Sequence, residues 1–277
     1  MKKKNESSEQ LNIQLFLLCM LAALLCRRLG KISSLRIICG MLRTMIYVGV
    51  YIGWGISIYK RVIQKSVRNV LIFIAELIIF WFVVRTTKYF FTMDNQIARY
   101  LWYSYYIPML FIPVAVLQAA FFLGKSEEYR LPKWLKGVYI PTAVLVLLVL
   151  SNDLHQLVFS FPVGSAWSDS HYTYGWGYYV VLVWEVVCAL TAFVLMIYKC
   201  RHSQKKKYLP LFGIGAAVLY AVLFISGVAW VQEIGGDITA VLCLFFVGIL
   251  ESCVRCGLIQ TNTGYDQLFE VCTLGAQ

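Results

Sequence analysis

Charged side chains are scarce in this sequence. They make up 14% of its 277 residues, where a soluble domain carries about a quarter. Hydrophobic residues reach 60%, and the mean hydropathy is +0.70, so water is excluded as the main solvent. Histidine is scarcer still. His155, His171 and His202 are the full complement and lie far apart, which excludes H-E-x-x-H and related metal clusters. No G-x-S-x-G, P-loop or kinase signature occurs either. The chain is therefore expected to hold no catalytic domain, no metal and no cofactor. Gly235, Gly236 and Asp237 spell G-G-D, but before the last apolar run this reads as a tight turn.

Cysteine is plentiful, at nine residues, yet Cys19, Cys39, Cys188, Cys243 and Cys253 sit inside apolar runs. That placement does not fit a secreted disulfide framework, and free thiols packed as small apolar groups are expected. Cys253 and Cys256 make a C-x-x-C with no second pair beside it, too few ligands for zinc.

Long apolar runs are what the sequence does have. A bilayer core about 30 Å thick takes about 20 apolar helical residues. Seven segments approach that standard: Ile37 to Ile58, Val70 to Val84, Tyr100 to Leu123, Val138 to Leu150, Trp176 to Tyr198, Leu209 to Val231 and Ile238 to Cys253. Several are short and need flanking Tyr89, Phe90 and Phe91, or outward-snorkelling Arg85 and Lys88, to complete a span. The fold class expected is all-α, a polytopic transmembrane bundle of seven core helices. A further run, Leu11 to Cys26, has basic residues on both sides and admits three readings: an extra helix, an uncleaved signal-anchor or a cleaved signal peptide. The extra helix is the expectation. The domain scheme is then an amino-terminal basic and apolar segment over 1–36, a membrane domain over 37–256, and a juxtamembrane junction over 257–277.

The formal net charge of +11 does not call for a nucleic-acid partner, because the basic residues cluster in alternate loops. From Ile37 onward, with Arg43 set aside, fourteen fall in one set of loops and three (Arg85, Lys88, Arg99) in the other. Lys and Arg are retained on the cytoplasmic side. This predicts a multi-pass protein of the cell membrane with a cytoplasmic carboxyl terminus, and puts the stretch from Ser151 to Gly175 outside.

Few ionisable groups lie within the spans. Glu76, Glu185 and Arg43 are such intramembrane polar residues, and each suggests either an ion path or interhelical hydrogen bonding, with both carboxylates expected to face the bundle interior. Pro108 and Pro113 in the third span remove backbone hydrogen bonds and are candidate hinges. The best candidate for a ligand or signal site is at the outward end. Asn152, Asp153 and His155 follow the fourth span, and Trp102, Tyr105, Tyr106, Tyr174 and Trp176 belong to aromatic groups that begin the third and fifth. The aromatics also suit an interfacial belt, and the polar trio also suits capping of a helix end. His155 could in addition exchange a proton near neutral pH.

Three stretches carry a resemblance: L-W-Y-S-Y-Y-I-P-M-L-F-I-P-V from Leu101 to Val114, S-N-D-L-H-Q-L-V-F from Ser151 to Phe159, and G-L-I-Q-T-N-T-G-Y-D-Q-L-F from Gly257 to Phe269. In that order they resemble the amino-terminal seven-helix sensor domain of bacterial membrane histidine kinases, over roughly Ile37 to Gln277. The resemblance implies reception of an external or membrane signal, by an unidentified small ligand or the lipid bilayer itself. It also implies relay to a cytoplasmic kinase or other output domain, in the same gene or in a separate protein, and a homodimer is expected. The sequence given reaches Gln277 without a phosphoacceptor histidine or ATP lobe. A small-solute transporter is the alternative function, although no Gly-broken inverted repeat supports it.

Overall fold

The computed structural model describes residues 2–91, 95–123, 125, 129–162, 171–199, 208–235, 238–255 and 259. Most of the junction over 257–277 lies outside these residues, as do Cys256, Gly236 and Asp237. Among the described residues the chain forms α1 (Lys2–Leu29), α2 (Arg36–Arg61), α3 (Lys65–Thr86), α4 (Asn95–Tyr103), α5 (Tyr106–Phe122), α6 (Lys133–Gly137), α7 (Tyr139–Leu150), α8 (Asn152–His155), α9 (Trp176–Lys199), α10 (Tyr208–Ile225), α11 (Ala229–Gly235) and α12 (Ile238–Arg255). One antiparallel pair of two-residue strands, β1 (Phe159–Ser160) and β2 (Thr173–Tyr174), pairs Phe159 with Tyr174.

Among the described residues, six helical runs are long and apolar enough to cross a membrane: Arg36–Arg61, Lys65–Phe90, Gln96–Phe122, Lys133–Leu150, Trp176–Lys199 and Ile238–Arg255, with the shorter apolar Pro210–Phe224 as a seventh. These match the seven segments expected, and the chain is a multi-pass helical membrane bundle. The second of these runs extends well beyond its apolar stretch. It covers 26 residues, roughly 39 Å at 1.5 Å per residue, because Lys65, Arg68, Arg85 and Lys88 occupy its end turns. Lys88 does not snorkel as expected. It is buried, with its ammonium over the rings of Tyr89 (4.7 Å) and Tyr105 (5.9 Å). The segment Leu209 to Val231 is not one helix, since α10 stops at Ile225. Gly227 adopts φ +78°, and the amides of Gly227 and Val228 donate to Phe224 O and Leu223 O at 3.2 Å. This is the crossed pair of a Schellman cap, which needs the left-handed residue that glycine supplies.

The two candidate hinge prolines have different settings. Pro113 is interior to α5 and leaves the Met109 carbonyl without its helical donor. Pro108 instead sits in the first turn of α5, where an N–H has no helical duty. Its ring cannot follow the Ser104 carbonyl four residues back, so the helix breaks at Ser104–Tyr105 between α4 and α5. The Ser104 carbonyl is taken by Ile107 N at 3.2 Å.

Contacts divide the chain into two units. The first holds Met1–Ile56, Ala75–Phe111 and Ala143–Leu182. Its core includes Tyr51, Ile78, Tyr103, Leu110, Val149 and Phe159, each fully buried, and the Phe82 ring lies 5.2 Å from Tyr47 and 5.5 Å from Tyr51. The second holds Ser57–Ile74, Ile112–Thr142 and Val183–Gln277. There the small residues Ala115, Ala119 and Ala120 of α5 are fully buried, as suits helices that approach closely in a membrane. In the same unit Gly213 of α10 meets Ile249 of α12, where an added Cβ would stand 2.9 Å from Ile249 Cγ1. Outward faces are apolar: Val183, Val187, Leu190 and Val194 make one exposed stripe on α9, as lipid contact requires.

Candidate functional site

In the first unit, the chain leaving α7 is held by its own polar residues. Asn152 is fully buried and uses every hydrogen-bonding position it has. Its Oδ1 accepts from the amides of Val158 and Phe159, both at 3.0 Å. Its Nδ2 donates to Phe159 O at 2.8 Å and to the Tyr103 hydroxyl at 3.1 Å. An amide side chain is the group that can close a loop in both directions, which is why asparagine stands here. His155 is likewise committed on both nitrogens: Nδ1 accepts from Leu157 N at 3.0 Å, and Nε2 lies 3.1 Å from Leu148 O and 3.3 Å from Ser151 Oγ. The geometry selects the tautomer with the proton on Nε2.

Asp153 joins this loop to α4. Its Oδ1 accepts from the Tyr103 hydroxyl at 2.8 Å, and its Oδ2 pairs with an Arg99 guanidinium nitrogen at 2.7 Å. Arg99 Nε is sealed from solvent with no hydrogen-bond partner among the described residues, and the cation is held by Asp153 and the Phe161 ring 5.8 Å away. Gln156 ends α8 in the left-handed conformation at φ 49°. Gly175 lets the next strand return close by, since a Cβ there would sit 2.0 Å from Leu157 O.

The aromatics gather around one ring that sequence reasoning did not single out, Phe159. It is fully buried, with Trp102 at 4.5 Å, Tyr172 at 5.4 Å, Tyr106 at 5.7 Å, Tyr178 at 5.9 Å and Tyr174 at 6.1 Å between ring centroids. Trp102, Tyr106 and Tyr174 are thus brought together with Asn152 and Asp153. Two of the expected residues are not. Tyr105 turns toward Trp81, 6.4 Å away, and Lys88, while Trp176 is 60% exposed. The signal for Phe159 in the sequence is its place seven residues after Asn152, between two tyrosine-rich groups.

The intramembrane carboxylates differ. Glu76 is exposed, contrary to the expectation that it faces the interior. On α3 the inward positions belong to Ile74, Ala75, Leu77 and Ile78, which leaves Glu76 on the outward stripe with Phe73, Phe80 and Val83. Glu185 is half-buried, and its Oε2 is sealed from solvent without a hydrogen-bond partner among the described residues. Arg43 is half-buried near the start of α2 and lines a cavity in the first unit.

The second unit contains a polar cluster that sequence reasoning missed. Arg61, in the last turn of α2, grips Glu251 of α12 through two nitrogens, each 2.8 Å from a carboxylate oxygen. Arg255 adds a bond of 3.1 Å one turn along α12, and Ser57 orients Arg61 Nε at 2.9 Å. Nearby in the same unit, the last carbonyls of α5 are capped. Lys199 donates to Ala120 O and Phe121 O at 2.8 and 2.9 Å, and Gln64 donates to Phe122 O at 3.2 Å. A cation at a helix carboxyl end meets both its unpaired carbonyls and its dipole. Glu251 could have been found from its i,i+4 spacing to Arg255.

Comparison with known proteins agrees with this architecture. The family described as the N-terminal 7TM region of histidine kinase matches residues 15–254. No curated protein and no solved structure matches the chain. The match begins within α1 and ends one residue before the end of α12, so it takes in the membrane-length helices and both polar clusters, apart from Arg255 at the end of α12. The chain belongs to the family of N-terminal seven-transmembrane regions of histidine kinases.

Proposed function

We propose that this membrane sensor region receives a signal at the Phe159 aromatic cluster and passes it along α5 and α12 to a cytoplasmic output domain. The observation that carries the reading is the Arg99–Asp153–Tyr103 latch. It fastens the loop after α7 to the last turn of α4, immediately before the helix break at Ser104–Tyr105. A small amphipathic ligand that offered Tyr103 or Arg99 a better partner would release the loop from α4. Only interactions that differ between latched and released states can shift that balance, and the latch supplies such a difference. Pro108 and Pro113 give α5 fewer backbone bonds to resist the change. The carboxyl terminus is cytoplasmic in this reading, supported by the fourteen-to-three loop asymmetry. The homodimer uses the Phe73–Glu76–Phe80–Val83 stripe, where a second copy would remove a carboxyl group from lipid.

Residues 1–277 joined in frame to the catalytic half of a histidine kinase test the reading. Asp153→Asn and Tyr103→Phe, in correctly inserted protein, are expected to change basal autophosphorylation severalfold and blunt its response to the inducing signal. A normal basal level and a normal response in both variants would reduce the latch to a loop fastening. A phosphatase reporter after Gln277 that is active outside the cell would overturn the orientation.

A further inference from the structure

The first unit has a half-open cavity of about 250 Å³ whose charged lining, among the described residues, is guanidinium: Arg27, Arg36, Arg43 and Arg85. Arg27 belongs to α1, Arg36 and Arg43 to one face of α2 seven residues apart, and Arg85 to the end of α3. Three of the four are half-buried and Arg36 is exposed. Arg36 and Arg43 make no hydrogen bond or ion pair among the described residues, whereas Arg85 also rests over the Tyr89 ring at 5.3 Å. The walls are braced independently of any ligand. Thr44 of α2 and Thr86 of α3 share a hydrogen bond of 2.8 Å, and Gly40 packs on the Phe90 ring so closely that a Cβ would fall 2.1 Å from Cζ.

Four like charges converging on one space repel each other, and that repulsion is largest where water is thinnest. An anion in the middle would relieve that repulsion, above all for Arg36 and Arg43, which have no partner among the described residues. A single carboxylate balances one guanidinium. A phosphate ester presents several acceptor oxygens, and the planar guanidinium fork matches them two at a time. The volume falls a little below the roughly 300–1,000 Å³ of sites for drug-sized ligands, which suits a compact head rather than an extended molecule. We propose that this cavity binds a phosphate ester, with Arg36 and Arg43 as its principal ligands and Arg27 and Arg85 closing the sides. The phosphate is either the headgroup of an anionic phospholipid or a small water-soluble phosphate ester. Arg27 and Arg36, two of the basic residues that follow the Leu11 to Cys26 run, thereby acquire a role.

Cys26 and Cys39 also line the cavity and are free thiols, Cys26 half-buried, so occupancy can be read by the rate of Cys26 maleimide labelling, located by peptide mass spectrometry. The purified chain is reconstituted in phosphatidylcholine nanodiscs, in nanodiscs containing phosphatidylglycerol, and in phosphatidylcholine nanodiscs titrated with glycerol 1-phosphate. Labelling is expected to slow severalfold with a phosphate ester and not with glycerol. Slowing by glycerol 1-phosphate assigns a soluble ligand, and slowing by phosphatidylglycerol alone assigns a lipid headgroup. Arg43→Gln and the exposed Arg36→Gln are each expected to weaken protection about tenfold, and Arg43→Lys less. Arg130→Gln, the same charge change outside the cavity, should leave it intact. No protection by either phosphate source, equal protection by glycerol, or equal loss in Arg130→Gln each overturns the proposal.

Discussion

Replacing Asn152 by alanine isolates the loop-closing role of that residue from the latch beside it. The substitution strips partners from four groups at once: the amides of Val158 and Phe159, the Phe159 carbonyl and the Tyr103 hydroxyl. Tyr103 keeps Asp153 as acceptor, so three backbone groups bear most of the loss. Asn152, Val158 and Phe159 are at most marginally exposed, so water cannot take over without opening the loop. A buried polar group left unsatisfied costs roughly 1–3 kcal/mol. Partial relaxation brings the total for Asn152→Ala to about 3–5 kcal/mol. Asp153→Asn is milder. It keeps an acceptor for Tyr103 and loses only the charge opposite Arg99, in side chains that retain 18% and 23% of their exposure, for about 1–2 kcal/mol. Amide hydrogen exchange reads local opening directly. Loss of about 3 kcal/mol corresponds to exchange at Val158 and Phe159 faster by roughly a hundredfold or more. If Asn152→Ala leaves those two amides as protected as in the parent chain, or costs less than Asp153→Asn, the accounting of the loop is wrong.

Other expectations follow from the same contacts. Arg61→Gln and Glu251→Gln should each destabilise the detergent-purified chain by about 2 kcal/mol, since the pair is bidentate but still 29% and 20% exposed; a double-mutant cycle with coupling below about 0.3 kcal/mol would dismiss the pair as decoration. Gly175→Ala should displace the strand pair or lower the thermal midpoint by several degrees, because its Cβ would collide with the Leu157 backbone carbonyl at 2.0 Å, and an unchanged midpoint would show that the loop yields easily. Glu76→Leu should leave the monomer's stability unchanged or raise it, since an exposed carboxylate in a span costs roughly 2.5–3.5 kcal/mol on insertion scales, while cysteine cross-linking at Phe73 and Phe80 checks whether a second copy covers that face.

What the sequence made legible follows from which forces act locally. A span needs about 20 apolar residues whatever its neighbours, so all seven segments could be read. Their ends could not, because Lys65, Arg68 and Arg85 look polar in a hydropathy profile but belong to helical end turns that reach toward water. The break in the sixth segment depends on Gly227 at positive φ, and one glycine in an apolar run has no such signature unless the residues around it are seen to cap. Facing is harder still. α3 is apolar nearly all round, so nothing in its periodicity says whether Glu76 points in or out. The decision rests on which side of Ile74, Leu77 and Ile78 the rest of the bundle packs. The site was half legible for a related reason. Asn152, Asp153 and the tyrosines stood out as costly residues at a helix end, whereas Phe159, Arg61 and Glu251 are ordinary residues made special by partners far along the chain.

The three basic residues on the sparsely charged side illustrate how structure revises a sequence count. Positive-inside topology treats Arg85, Lys88 and Arg99 as three exceptions. In the fold, Arg99 is held by Asp153, Lys88 is buried over the rings of Tyr89 and Tyr105, and Arg85 lies over Tyr89 at the cavity wall. Topological bias acts on loop charges that remain free to be retained on one side of the membrane. A charge with a dedicated partner has a separate reason to be where it is. Removing these three from the count leaves the asymmetry from Ile37 onward without a counterweight apart from Arg43. That residue too has a structural setting, in the wall of the same cavity. The exceptions to the charge rule are thus accounted for one by one: Arg99 at the latch, Arg85 and Arg43 in the cavity wall, and Lys88 among aromatic rings.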